Sequence, residues 1–497
     1  MEGLFDYISD PTISYVRVGK PYPNFWGESH THPHLKSLHG TKVSYAVYLY
    51  FNGDAYYFVD KKGIARVKEI VYKKLLLKPN HISHCLEKTD SVISEGESFF
   101  QFVLPNIKKY SNDKIELISK KFHKLLLQIQ MYADSTYYMS ESILNENLLK
   151  RLESHFSKDS EKIGKVVKVL TAFDSLSYLE REDLSLAQIA LANDQSSIIN
   201  HISLWRHKTF DYWGPETTEK EFYDRLKSFR KQPTRTRATV SRYTNAKKSR
   251  QRMKKGIIKR YNLPGDIVLL SRLVSQVGFL NDTKKYSITR LTYLFDKFLD
   301  EIVRRFGIEK ELIYYHLPLE IEGIGRGDQP VSEKELRERR MLFVIVFSEG
   351  KEIMHTTDKG SQIAQELLKI IGTDLRLDSA DEESTSCSGI PASKGEYEGT
   401  VVKMFSHKDL HKARDGMVLV SPKTTVDFIS ALYKAGAVVT DYGGLTSHTA
   451  IVAREMNIPG IVGTKTATTA FSDGDVVCVD GEKGIAKLVK KRSHQKL

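Results

Sequence analysis

The sequence predicts an α+β protein: a β-containing N-terminal region, a mostly helical middle and a compact C-terminal α/β domain. Three observations carry that expectation. Alternating apolar runs flank Asn52-Gly53, a dipeptide suited to the two positive φ values of a type I′ hairpin turn. The middle of the chain shows apolar residues at helical spacing. After an acidic, Ser/Thr-rich stretch at 372–389 the texture changes to short strand patterns broken by Gly turns. A chain of 497 residues suggests about three domains at roughly 100–200 residues each.

Taken in order, Val43, Tyr45, Val47, Leu49 and Phe51 alternate before Asn52-Gly53, and a second aromatic run ends near Val59. This marks 1–104 as the N-terminal β-containing region. Ile115, Ile118, Phe122, Leu125, Leu126 and Ile129 then fall on one helical face, and further helical patterns follow at 142–156 and 161–178. Leu291, Leu294, Phe295, Phe298, Leu299, Ile302 and Val303 form another broad face, closed by Gly307 as a C′ residue. A late hairpin is expected near 342–354, with Glu349-Gly350 at its turn, and a short helix at 361–371. The helical connecting domain is thus 105–371, and 372–389 reads as an exposed linker. As an open chain its 18 residues would reach about 60 Å. Over 390–489 the strand patterns are Gly399–Met404, Met417–Val420, Ala437–Thr440, Gly460–Val462, Val476–Val479 and Ala486–Val489. Helical patterns at Val426–Ala435 and Thr449–Met456 are interleaved with them.

Composition excludes several classes. Hydrophobic residues make up 40% and charged residues 28%, enough apolar matter for real cores. No apolar stretch approaches the ~18 residues of a membrane span; the longest dense run is Met341 to Phe347. The N-terminus lacks the basic and apolar regions of a signal peptide, and three scattered cysteines make no disulfide framework. A soluble cytoplasmic protein is expected. The net charge of +13 is concentrated: Arg225 to Arg260 holds fifteen Lys or Arg and no Asp or Glu, leaving 13 − 15 = −2 for the remainder.

The segment richest in chemistry is Thr440-Asp441-Tyr442-Gly443-Gly444-Leu445-Thr446-Ser447-His448-Thr449. A β-rich run stops at Asp441, and Gly443 and Gly444 provide a turn that another molecule can approach closely. Thr446 or Ser447 can cap the helix that follows, which places His448 at or just inside its N-terminus. The unpaired N–H groups there favour an anion, and the same field keeps the imidazole neutral and nucleophilic. Attack on phosphorus would give a phosphohistidine, with the Thr446, Ser447 and Thr449 hydroxyls near the phosphate. Arg454, nearly two turns on, would assist only by folding back. A lone His at a helix start is, by itself, usually a capping or solvated residue.

The surrounding pattern resembles the phosphohistidine (swivelling or mobile) domain of phosphoenolpyruvate-utilising enzymes, a group that includes pyruvate phosphate dikinase, phosphoenolpyruvate synthase and rifampin phosphotransferase. The resemblance covers Gly389 to Gly395, Gly416 to Val420, Gly443 to Glu455, Ile458 to Gly463, Asp473 to Val477 and Asp480-Gly481. It implies a β/β/α swivelling fold for 390–489. It makes His448 the residue that accepts and passes on phosphate, supported by Gly443, Gly444, Thr446, Ser447, Thr449 and Arg454. One departure is Val426, where the family usually has proline. Leu176 to Leu184 and Leu336 to Phe347 resemble the helical connecting region of such chains. No Gly-rich phosphate loop, ATP-grasp pattern or Walker motif is found. The resemblance therefore implies ATP or phosphoenolpyruvate, with Mg²⁺, at the donor site of a separate ATP-grasp-type nucleotide-binding partner, and an acceptor of unknown identity. No metal site is evident in this chain. The expected function is that of a phosphotransferase component, a phosphoprotein incomplete without its partner.

Two other features carry chemistry. Glu28, His30, His32, His34 and His39 form a His-rich patch whose plainer reading is a solvated loop. The basic segment 225–260 supports an alternative function, a non-catalytic regulatory or nucleic-acid-binding protein, although no RNA- or DNA-binding motif accompanies the charge.

Overall fold

The computed structural model describes residues 11–18, 45–51, 54–157, 159–194, 196–209, 216–348, 351–355, 360–364, 367, 385–405, 407–422, 424, 428–441, 447–464 and 466–491. The strands are β1 (Pro11–Val18), β2 (Tyr45–Phe51), β3 (Asp54–Asp60), β4 (Leu342–Ser348), β5 (Lys351–His355), β6 (Ser386–Ser388), β7 (Ile390–Ser393), β8 (Glu396–Lys403), β9 (Met417–Ser421), β10 (Ala435–Thr440), β11 (Gly460–Val462), β12 (Val476–Asp480) and β13 (Ile485–Lys490). The helices are α1 (Lys61–Leu77), α2 (His81–Val103), α3 (Asn112–Ile129), α4 (Ser135–His155), α5 (Ser160–Leu170), α6 (Tyr178–Ala192), α7 (Ser196–Trp205), α8 (Glu219–Lys231), α9 (Pro233–Thr244), α10 (Ala246–Arg260), α11 (Gly265–Phe306), α12 (Pro318–Arg326), α13 (Glu333–Met341), α14 (Ile429–Leu432), α15 (His448–Met456) and α16 (Ala467–Ala470). The fold class is α+β, with a helical middle and a C-terminal β-rich domain. Among the described residues no helix is long and apolar enough to cross a membrane.

The chain divides into two compact units: Met1–Ser140, Ser175–Lys247 and Gln276–Lys369 in the first, Glu141–Asp174, Lys248–Ser275 and Ile370–Leu497 in the second. In the first, a five-stranded antiparallel sheet has the order β1-β3-β2-β4-β5. Both expected hairpins are there, but they belong to one sheet, because β2 pairs with β4 from Tyr45↔Ser348 to Phe51↔Leu342. The N-terminal β region is therefore not separate from residues 342–355. The span to residue 104 also contains α1 and α2. The turns Asn52-Gly53 and Glu349-Gly350 lie outside the described residues.

The helical faces read from spacing pack as spacing requires. Ile115, Ile118, Phe122, Leu125, Leu126 and Ile129 of α3 are buried, as are Leu291, Leu294, Phe295, Phe298, Leu299 and Ile302 of α11. The Phe122 and Phe295 rings stack with centroids 3.7 Å apart. Gly307 ends α11 at φ +66°, the left-handed conformation glycine adopts freely.

A charged cluster ties α6, α7 and α8 together. Glu182 accepts both guanidinium N–H groups of Arg225 at 2.7 and 2.8 Å, His201 Nε2 at 3.1 Å, and lies 3.2 Å from Lys208 Nζ. Its side chain is only 2% exposed. His201 Nδ1 meets Ser185 Oγ at 2.9 Å. Burial alone would raise the Glu182 carboxyl, yet the hydrogen bonds from His201 and Arg225 and the charge of Lys208 hold it down to about 2.

In the second unit an eight-stranded sheet has the order β6-β13-β12-β8-β9-β10-β11-β7. The β8, β9, β10 and β11 neighbours are parallel; β7, β12, β13 and β6 join antiparallel. Every residue of β9 is buried, because the sheet is covered on both faces. Val418 and Val420 enter one core with Val439, Phe471 and Val477, whereas Met417 and Leu419 enter the other with Phe428, Leu432 and Ala453. Ser386–Ser388, read from the sequence as the end of the linker, instead forms β6. Cys387 packs into the core while Ser386 and Ser388 point out, so three residues suffice for a paired edge strand. Residues 372–384 lie outside the described residues. Of the helix expected at Val426–Ala435, α14 accounts for Ile429–Leu432.

Gly481 shows how tightly this domain closes: a Cβ there would sit 2.1 Å from the Ser393 carbonyl oxygen. Gly481→Ala is expected to destabilise the domain by about 1–3 kcal/mol, measured as a lower denaturant midpoint with an unchanged slope.

Candidate functional site

The site is built where β10 ends and α15 begins. The buried strand Ala435–Thr440 delivers Asp441, whose carboxylate is also buried and is tied to the β11–α16 turn. Asp441 Oδ1 accepts the Thr468 backbone N–H and the Thr464 hydroxyl, both at 3.1 Å, and Oδ2 accepts the Thr468 hydroxyl. Burial pushes this carboxyl above its ordinary range, opposed by those hydrogen bonds. The strand end is thereby held in place.

Ser447 fixes the other side. It sits at φ −65° and ψ 156° as the N-cap of α15, and its side chain accepts the Ala450 N–H at 3.3 Å. His448 is the first residue of the helix. With Ala450 N–H taken by the cap, the His448 and Thr449 N–H groups remain as first-turn donors without an intrahelical acceptor. Thr449 is buried, and its hydroxyl meets the Thr424 hydroxyl at 2.8 Å, so the helix start is bound to the segment after β9. Ser447→Ala should lower stability by about 1 kcal/mol through loss of the cap, visible in thermal unfolding.

Packing sets the helix direction. Ala450 and Ala453, three residues apart, are both fully buried, the first against Ala392 and Val462. A Cβ at Gly460 would lie 2.9 Å from the Ala453 Cβ, so the small residue allows β11 to approach α15. Arg454 Nη1 donates to the Ala392 carbonyl at 3.2 Å, and burial lowers its guanidinium to about 10. The helix closes at Asn457, which takes the left-handed conformation at φ 53°.

Ser447, Thr449 and the backbone of His448 are thus gathered at one helix start, with Arg454 on the strand-facing side two turns along. Gly443, Gly444 and Thr446 lie outside the described residues, as do Val426 and the His-rich patch Glu28–His39. The anchoring roles of Thr424, Thr464 and Thr468 escaped sequence reading. A buried hydroxyl that bonds across the fold leaves no periodic signal.

Residues 413–484 match the family model described as the mobile domain of PEP-utilising enzymes. The chain is similar to a probable phosphoenolpyruvate synthase of Archaeoglobus fulgidus, 30% identical over 292 residues, covering 55% of this chain and 38% of that protein. It is 39% identical over 135 residues to the phosphoenolpyruvate synthase of Pyrococcus furiosus, covering 26% of this chain and 16% of the relative. An uncharacterized phosphotransferase, YvkC of Bacillus subtilis, is 30% identical over 197 residues, or 39% of this chain and 23% of the relative. The chain spans less than two fifths of the length of each of these relatives. Residues 413–484, which include Ser447 and His448, thus match the mobile domain of PEP-utilising enzymes, and the chain is related to phosphoenolpyruvate synthases and to a phosphotransferase over part of their length.

Proposed function

We propose that this chain is a phosphoryl carrier that works through a phosphohistidine at His448, loaded by a separate nucleotide-binding protein. The observation that carries the reading is the position of His448 as first residue of α15, within the matched mobile domain. A neutral imidazole nitrogen attacks the donor phosphorus, an N–P bond forms and the donor's P–O bond breaks. An acceptor oxygen then attacks the same phosphorus and the N–P bond breaks, which restores the ring. First-turn N–H groups that have no intrahelical acceptor and the positive helix end stabilise the phosphate and disfavour the imidazolium.

The donor is ATP with Mg²⁺ on an ATP-grasp-type partner, or phosphoenolpyruvate; the acceptor is a small molecule. The Ser447 and Thr446 hydroxyls, with Gly443 and Gly444, support the phosphate, while Thr449 and Arg454 position the helix that presents it. In this reading the matched domain moves between donor and acceptor. Incubation of the chain with labelled phosphoenolpyruvate, or β- or γ-labelled ATP, in the presence of lysate tests this. Acid-labile label on the natural protein and none on His448→Ala is the expected result; equal label on both would sink it.

A further inference from the structure

The phosphohistidine reading leaves the basic segment unused, and α10 (Ala246–Arg260) divides its cations between two faces. Arg250 Nη1 donates to the Phe173 carbonyl at 3.2 Å, and Lys254 Nζ pairs with Asp174 at 2.8 Å. These residues, with half-buried Ile257 and Ile258, form the face that holds the helix in its unit. Lys248, Arg252, Lys255 and Lys259 recur at i, i+4, i+7 and i+11 and are all exposed. At about 100° per residue they fall within a sector of roughly 60° on the opposite side. Among the described residues none of the four has an ion-pair partner. The stripe extends about 16 Å along the axis at 1.5 Å per residue.

What lies around the stripe indicates its partner. Gln251, Ser249 and Gly256 flank it, and a Cβ at Gly256 would meet nothing within 4 Å. No aromatic side chain belongs to α10, and its single exposed large apolar residue is Met253. Protein partners are usually gripped through aromatic and apolar anchors at a lysine-poor centre. Single strands are gripped by stacking on aromatic rings. A stripe of cations with neither feature suits the phosphodiester backbone of a duplex, which offers about five phosphates per strand over such a length.

We propose that the face of α10 formed by Lys248, Arg252, Lys255 and Lys259 binds the phosphate backbone of duplex nucleic acid without reading its sequence. This surface is independent of His448, and its test does not use phosphoryl transfer. Fluorescence anisotropy of the full chain with a labelled duplex DNA and a labelled duplex RNA of scrambled sequences, over a salt series, measures it. If each of the four cations meets one phosphate, they contribute about 3.6 to the slope of log affinity against log salt, or roughly 10²-fold between 50 and 200 mM.

The combined variant K248Q/R252Q/K255Q/K259Q should lose that contribution and keep its unfolding temperature. Each single Gln variant, a safeguard if the combined variant misfolds, should lower the slope by about 0.9. Equal binding of the two duplexes indicates shared backbone recognition, while preference for one names the physiological source. Absence of binding at 50 mM salt overturns the proposal, as does an unchanged slope in folded variants. Displacement of the duplex by poly-glutamate at equal charge concentration overturns it in favour of an acidic protein.

Discussion

Glu182→Ala is expected to destabilise the protein by about 3–5 kcal/mol, the magnitude found when one member of a buried ionic cluster is removed. Glu182 is the common acceptor of Arg225, His201 and Lys208, so its loss takes the shared acceptor from the largely buried Lys208 and His201 and leaves Arg225 with Asp183. Glu182→Gln keeps the volume but not the charge, and should recover only part of the loss. The cluster also sets an acid dependence. The carboxyl is held at about 2, below its ordinary 4.5, so its contribution is fully present above about pH 5. It declines as pH falls through 4.5 toward 2, and on the order of 3 kcal/mol is at stake at 1.36 kcal/mol per pK unit. Denaturant titrations at pH 7 and pH 3 should show this decline for the natural chain and a much smaller one for Glu182→Ala. A Glu182→Ala protein within 1 kcal/mol of the natural chain would contradict the account.

The second large effect is all-or-none and concerns the donor. The purified chain with ATP and Mg²⁺ should acquire no label, because none of its motifs is a nucleotide-phosphate loop. Addition of the nucleotide-binding partner should switch labelling on, and His448→Ala should switch it off again. Uptake by the chain alone from phosphoenolpyruvate would keep the phosphohistidine but remove the partner. Uptake that survives His448→Ala would remove the carrier. Ser447→Ala makes an informative companion. It loses the cap of α15 yet keeps the imidazole, so labelling should slow without disappearing.

Much of this architecture was legible because periodicity and burial coincide. The faces of α3 and α11 are continuous stripes in one core, and spacing alone located them. The runs at β9 and β10 read as strands because both of their faces are buried, which makes them apolar throughout. What periodicity cannot carry is pairing between distant segments. Nothing local in Tyr45–Phe51 announces Leu342–Ser348 as its neighbour, so one sheet read as two separate hairpins. Edge strand β6 was missed for a related reason. Three residues with a single inward side chain make a paired strand, and its Ser-rich composition looked like linker. At the candidate site, the places of Ser447 as N-cap and His448 as first helical residue were legible because capping chemistry is local. Asp441, Thr464 and Thr468 act through contacts across the fold, and Arg454 donates to the Ala392 carbonyl of β7.

The charge distribution divides in the same way. Fifteen cations in one segment are conspicuous in the sequence, but their division of labour is not. Arg225 is consumed by Glu182 and Asp183, Lys254 by Asp174, and Arg250 by a carbonyl. Only helical geometry separates these from the outward stripe on α10.

The central claim, a phosphoryl group carried on the first residue of α15, is tested most directly by peptide mapping of the loaded protein by mass spectrometry at neutral pH. A phosphoramidate on His448 that is lost on brief acid treatment is the predicted result. Acid-stable phosphate on Thr446 or Ser447 with an unmodified His448, or no modification under any donor, would contradict it.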